Sequence, residues 1–374
     1  MLPSIVRYQA LSPANAAEVE FRTPQVQAAR MQVSLIVPAP FDSVSGGYAY
    51  DRRMVNGLRA AGHAVTVIEL PGTHPVTDET ARSAARGAWG SLPRDVLPVI
   101  DGLALPAFAG QGDALASRPA AALIHHPTAL ETRLSDSDRA TLRNTELRLL
   151  PRFARVVATS GPTAERLVAD FGVDRGRLRV VVPGTDDTPR STGSGGPGCA
   201  ILSVGALIPR KGHDVLIRAL ARLFDLDWRL TIVGSATRDP THAQELATLV
   251  QQLGIADQVR FGGEVDDAML DELWRRTDLF ALASHWEGYG IAVAEALKRG
   301  VPVAITTGAA AALVPPDAGV VCPAGDHNQL SKAMRRMIFG TTLRQEMAEA
   351  AWQAGRALPS WPTQIDAFAA ALIV

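Results

Sequence analysis

Two carboxylates, Glu287 and Glu295, bracket Gly288-Tyr289-Gly290-Ile291-Ala292-Val293-Ala294, a run that reads as a turn after a strand entering a helix that stops near Gly300. Glycines at 288 and 290 let backbone approach a ligand closely, and the first amides of a helix, at the positive end of its dipole, then face that ligand. The chemistry is that of anion binding. A second run, Ser203-Val204-Gly205-Ala206-Leu207-Ile208-Pro209-Arg210-Lys211-Gly212-His213, also follows a strand and precedes a helix. Adjacent cations at the carboxyl end of a strand suit a diphosphate, because arginine grips oxygens in pairs and lysine adds a point charge. Each run also has a plainer reading. Glu287 fits a solvated loop acid, Glu295 a charge favoured by a helix start, and Arg210 with Lys211 exposed cations capping a loop. At about 1.5 Å per residue, the two acids stand at most about 12 Å apart, the reach from a sugar to the ribose of one nucleotide sugar.

Phe41-Asp42-Ser43-Val44-Ser45-Gly46-Gly47-Tyr48 lies between the opening strand and a helix. Gly46 and Gly47 fit close approach to a phosphate or an acceptor, and equally a tight turn, while Asp42 and Tyr48 are candidate acceptor contacts. His125-His126-Pro127 follows the strand ending at Ile124; of the pair, His126 is favoured as an imidazole that polarises a hydroxyl, with Glu131 and Arg133 as acceptor contacts beyond it. Val233 to Arg238 also follows a strand and is a candidate border for a nucleotide, with nothing in it to separate uridine from guanosine. Asp136 with Asp138, and Asp225 with Asp227, read as a solvated loop and a helix-end turn, so no metal site is expected.

Holding such loops at strand ends requires alternating strands and helices. Apolar runs of strand length recur at Val33–Val37, Val65–Ile68, Ala121–Ile124 and Val156–Thr159, then at Ala200–Val204, Leu230–Val233, Leu279–Leu282 and Val301–Ile305, separated by helical patterns. The fold class is α/β. Its expected division is an N-terminal extension over 1–30, a Rossmann-like domain over 31–188, a Gly/Ser/Pro linker over 189–198 that should be flexible, a second Rossmann-like domain over 199–358, and a closing helix over 359–374.

Here the runs meet a family. Gly205 to Gly212 together with Glu287-Gly288-Tyr289-Gly290 through Glu295 resembles the retaining glycosyltransferases of family four, in which an acid, seven residues and a second acid form a diagnostic pattern. Val182-Pro183-Gly184-Thr185-Asp186 and Phe261-Gly262-Gly263-Glu264-Val265 extend the likeness over about residues 31 to 374. The resemblance implies GT-B architecture, two Rossmann-like domains facing a cleft, with the acceptor held by the first and a UDP-sugar or GDP-sugar donor by the second. It implies that Glu287 bonds donor-sugar hydroxyls, Glu295 the ribose, Arg210 and Lys211 the diphosphate, and the amides of Gly288, Tyr289, Gly290 and Ile291 the sugar and phosphate oxygens, with Gly205, Gly46 and Gly47 lining the donor and His126 near its sugar. It also implies transfer of a hexose with retention, without metal or further cofactor. Two positions depart from the commonest pattern. Ala206 stands where an arginine is usual, leaving Arg210 to supply that cation, and Gly184 stands where an asparagine is usual. A catalytically silent GT-B protein that binds nucleotide sugars is the alternative.

Composition bounds the partners. With 47% hydrophobic and 20% charged residues the chain is no disordered tail, and a net charge of -1 leaves nucleic acid no bulk charge to bind. Cys199 and Cys322 make neither a disulfide framework nor a metal-ligand spacing, which fits a reducing cytoplasm. The first thirty residues lack the layout of a signal peptide. The acceptor, whether glycan, lipid or small metabolite, is open. Arg139, Arg143, Arg148, Arg152 and Arg155, interspersed with Asp136, Asp138 and Glu146, read either as a peripheral contact with anionic lipid or as a solvated helix face.

Overall fold

Strands buried on both faces of a parallel sheet read as unbroken apolar runs, and each such run in the sequence becomes a strand in the computed structural model, which describes residues 30–131, 134–307 and 309–373. Residues 1–29 and Arg133 lie outside them. The first sheet holds β1 (Gln32–Pro38), β2 (Ala64–Leu70), β3 (Leu97–Asp101), β4 (Ala121–Ile124), β5 (Arg155–Ala158) and β6 (Leu178–Val180), in the order β2-β1-β3-β4-β5-β6. The second holds β7 (Cys199–Val204), β8 (Trp228–Val233), β9 (Val259–Gly263), β10 (Leu279–Leu282), β11 (Val303–Thr306) and β12 (Gly319–Cys322), in the order β12-β11-β10-β7-β8-β9. All pairings are parallel.

Helices α1 (Gly46–Ala60), α2 (Glu79–Ser91), α3 (Gly112–Ala116), α4 (Asp136–Leu149) and α5 (Gly161–Phe171) belong to the first sheet. The second carries α6 (His213–Ala221), α7 (Pro240–Gln252), α8 (Asp267–Arg275), α9 (Ile291–Lys298), α10 (His327–Phe339) and α11 (Thr341–Arg356). The two orders differ in one respect. The second sheet has the dinucleotide-fold arrangement, whereas the first is wound as in flavodoxin-like sheets. Neighbouring connections therefore diverge between β7 and β10 in the second sheet and between β1 and β3 in the first, and ligands of open α/β sheets lie at the carboxyl ends beside such points.

The last helix, α12 (Trp361–Leu372), crosses back and packs on the first half. Trp361, Phe368, Ala371 and Leu372 join the core cluster of Val33, Tyr50 and Leu58, with Tyr50 in edge contact with Trp361 and Phe368. The outgoing and returning segments touch where they cross: the Thr185 amide donates to the Pro359 carbonyl at 2.8 Å, and Thr185 pairs with Ser360. Gly184 is accounted for by this crossing, since a Cβ there would come within 2.5 Å of the Trp361 backbone.

The Gly/Ser/Pro stretch expected to be flexible is instead fastened to the second half. Ser191 donates its amide to the Arg299 carbonyl and its hydroxyl to that of Thr277, and the Ser194 amide donates to Asp278. Backbone polar groups of a glycine-rich segment can bond to a neighbouring loop as well as to water, and composition does not show which.

Candidate functional site

Both motif loops flank the divergence point of the second sheet. The β7–α6 loop carries Gly205, Arg210 and Lys211, and the β10–α9 loop carries Glu287 to Gly290. Helix α9 begins behind Gly290, which takes φ +91°, and no side chain caps its first amides. By the nature of a helix start these are donors without intrahelical partners. The loops are joined by charge. Lys211 Nζ donates to Glu287 Oε1 at 2.8 Å, Arg210 Nη1 lies 3.5 Å from Glu287 Oε2, and the Ser284 hydroxyl donates to Glu287 Oε1 at 2.5 Å. Arg210 Nη1 also donates to the Trp286 carbonyl at 2.8 Å. Burial alone would raise Glu287; the charges of Lys211 and Arg210, with hydrogen bonds from Lys211 and Ser284, outweigh it and hold the carboxyl at about 2. Burial holds Lys211 below the usual lysine range despite Glu287. Arg210 and Lys211 are therefore neither exposed nor free.

The first half meets these loops directly. A Cβ on Gly288 would stand 2.6 Å from the carbonyl oxygen of His125, and one on Gly46 would stand 3.4 Å from the Ile291 side chain. Gly47 backs onto the His125 ring. Glu131 Oε2 reaches within 3.9 Å of Arg210 Nε, while its Oε1 is hydrogen-bonded to His126 Nε2 at 2.6 Å. Burial raises Glu131, yet His126, Arg210 and Arg238 bring it to about 2. The guanidinium of Arg166, on α5, stacks 5.5 Å over the ring of Trp286. The structure thus gathers Arg210, Lys211, Glu287, His126, Gly46, Gly47, Gly288 and Ile291 at one crevice. Two buried donors there, Arg210 Nε and Trp286 Nε1, have no hydrogen-bond partner among the described residues.

Glu295 stands apart from this network, one turn into α9. Burial raises it to about 7; Arg299 works against that rise, and Asp186, Asp271 and Asp267 add to it. Tyr289 is buried. The Tyr48 hydroxyl donates to the Pro38 carbonyl, so this candidate acceptor contact braces the end of β1. Asp42 sits in the turn before α1.

Several partners and placements were not legible in advance. His125 Nε2 lies 3.0 Å from Asp51 and 3.7 Å from Asp101. Burial opposes its charge, but the two carboxylates raise its basicity above the usual histidine range, and burial together with the Asp51 charge raises Asp101. These three are the one described set of side chains that converge closely enough to hold a metal ion; of the two acids, only Asp51 is within hydrogen-bond distance of His125. Arg238, exposed in the β8–α7 loop, adds positive potential at Lys211, Glu131 and Tyr48 alike. It is a third cation for a crevice in which Ala206 supplies none.

Glu146 corrects the reading of α4 as a solvated acidic and basic face. It is buried and accepts from the Thr128 amide at 2.6 Å, the Thr128 hydroxyl at 2.8 Å and the Ala129 amide at 3.3 Å, pinning the loop that carries His126 and Glu131. Nearby arginines are likewise engaged within the chain: Arg139 with the carbonyls of Ala129 and Glu131, Arg152 with Asp113, and Arg155 with the Ile373 carbonyl. Burial raises Glu146 to about 7 despite those hydrogen bonds. A carboxyl raised in the folded state stabilises fully below its unfolded value and loses that contribution as pH climbs through the folded one. Between pH 5 and 8 the chain should therefore lose roughly 2 kcal/mol through this group, and melting curves of Glu146→Gln should show a flatter dependence over that window. Parallel curves for variant and wild type would contradict the assignment.

Comparison with known proteins bears on the family and the fold. Residues 186–354 match the family described as glycosyl transferases group 1. Among curated proteins, the mannosylfructose-phosphate synthase of Agrobacterium fabrum is 31% identical over 168 residues, 40% of this chain and 37% of that protein. D-inositol 3-phosphate glycosyltransferase 2 of Catenulispora acidiphila is 30% identical over 230 residues, 54% of this chain and 53% of that protein. The chain thus spans only about a third to a half of the length of these relatives. Among solved structures, sucrose-phosphate synthase from Thermosynechococcus elongatus superposes with a TM-score of 0.77 at 20% identity, covering 91% of this chain and 98% of that one. Anabaena HepE, solved with UDP and glucose, gives 0.71 at 18% identity, covering 92% and 99%. At such identities the likeness establishes the fold, two parallel-sheet α/β domains of GT-B type.

Proposed function

From a chain that carries a glycosyl transferases group 1 domain over residues 186–354, we propose a retaining glycosyltransferase that moves a hexose from a nucleoside diphosphate to an acceptor hydroxyl without a metal. The observation that carries this reading is the buried cluster of Lys211, Arg210 and Glu287 at the uncapped start of α9. A departing diphosphate needs fixed positive charge and aimed amides in a site shielded from water. Arg210 and Lys211 supply the charge, Arg238 adds to it, and the amides behind Gly288 and Gly290 supply the dipoles. As the bond between the anomeric carbon and the diphosphate breaks, the acceptor oxygen bonds to that carbon from the same face, and its proton passes to the leaving phosphate oxygen. Glu287 holds the donor sugar's hydroxyls, Glu295 the ribose, and His126 with Glu131 faces the sugar from the first half. Because the two curated relatives named above carry a phosphate in their names, a small sugar phosphate or polyol phosphate is the first acceptor to try.

Titration with UDP and GDP, then a hydrolysis screen over common UDP- and GDP-sugars in EDTA, tests the proposal. One nucleotide should bind and one sugar should be released, with release lost in Glu287→Ala. Glu131→Gln should bind the nucleotide several-fold more tightly, since a carboxylate beside Arg210 repels the incoming phosphates. Binding with neither hydrolysis nor transfer would favour the silent sugar-nucleotide binder, and dependence on a divalent cation would sink the metal-free route.

A further inference from the structure

Opposite the crevice, two phenylalanines stand in solvent. Phe224 is 82% exposed and Phe339 78%, the two highest values among the described large apolar side chains. A single exposed apolar residue needs no explanation, but these two close neighbouring helices. Phe224 follows α6 and Phe339 ends α10, and the helices share one core through Leu216, Leu220, Met334 and Met337. Both helices run back against the strands, so both ends lie at the amino edge of the second sheet, away from Arg210 and Glu287. Arg335 binds the two places together, meeting Asp225 with both terminal nitrogens at 2.7 Å. Along α10, Lys332, Arg335, Arg336 and Phe339 are exposed at helical spacing, as are Arg218 on α6 and Arg222 just after it. Asp225 is engaged by Arg335, and Asp227 is the nearest other acid in the loop.

We propose that this face docks on an anionic bilayer surface. Aromatic rings settle at the boundary of headgroups and acyl chains, and basic residues beside them are drawn to anionic lipid phosphates. Side chains that project this far suit a soft interface rather than a shaped protein pocket. A second copy of the chain meeting this face with its own would oppose the same cations. Docking here leaves the crevice open, so the tether is independent of the acceptor and of the transfer reaction.

Sedimentation of the full chain with vesicles tests it. The chain should sediment with phosphatidylglycerol and phosphatidylcholine mixtures, remain in solution with phosphatidylcholine alone, and be released by high salt. Lys332→Gln with Arg336→Gln should lower the partition coefficient by about thirtyfold, and Phe224→Ser with Phe339→Ser should lower it by more than about tenfold. All four side chains face solvent, so melting temperature and nucleotide titration should match wild type and certify the fold. Absence of wild-type binding to the anionic vesicles, or undiminished binding by both variants, would overturn the proposal. So would self-association that vanishes in the serine variant, which would assign the face to a second copy.

Discussion

Lys211→Ala should slow donor turnover by about a hundred- to a thousandfold, the usual cost of removing one fixed donor from a developing anion. The side chain has two duties that can be separated. It is the nearest charged partner of a buried carboxylate, Glu287, at 2.8 Å, and removing one member of a buried pair costs about 3–5 kcal/mol. Because Arg210 remains within 3.5 Å of the same carboxylate, the lower end of that range is expected. The double variant Lys211→Ala, Glu287→Gln should regain most of the lost stability, since the buried carboxylate charge is then gone and Arg210 keeps Glu131 and the Trp286 carbonyl, while turnover stays low. Should Lys211→Ala melt early yet turn over normally once folded, Lys211 would be a structural counterion only and the diphosphate grip would lie elsewhere.

The second large effect belongs to a methyl group. In Gly288→Ala the added carbon would lie 2.6 Å from the His125 carbonyl oxygen, a backbone atom of the other half. Neither side can yield by turning a side chain. The strain is relieved most cheaply by holding the halves slightly apart, and displacement of about 1 Å commonly costs about a hundredfold in rate. Melting temperature should change little, because each half keeps its own core. Steady-state kinetics and small-angle scattering in the presence of nucleotide check this together: turnover should fall and the variant should fail to contract to the wild-type radius. Normal turnover would show that the approach of Gly288 to His125 is not the working geometry.

The parts of the fold visible in the sequence are those where burial on both faces leaves an unbroken apolar run. β1, β4, β7 and β10 announce themselves this way. β6 does not, because it is a sheet edge with Arg179 and Val180 exposed. β3 was hidden by Pro98, which ordinarily argues against an inner strand; it is tolerated because pairing with β4 begins only at Val99. At the site, glycines, paired cations and spaced acids could be read from local order, since each loop is continuous in the chain. The contact of Glu131 with Arg210, the grip of Asp51 and Asp101 on His125, and the inward turn of Glu146 depend on tertiary placement. An acid on a polar helix gives no sign of which way it faces.

The crossing at Thr185 and Pro359 decides how the molecule can move. Two straps that lie side by side and share hydrogen bonds act as a door's paired pins: they permit swinging about one line and resist twisting or sliding. A swing about that line would bring His126 and Glu131 back to the same register with Arg210. An acceptor carried on one leaf and a donor on the other would meet along a fixed arc, with no search over orientations once both are seated.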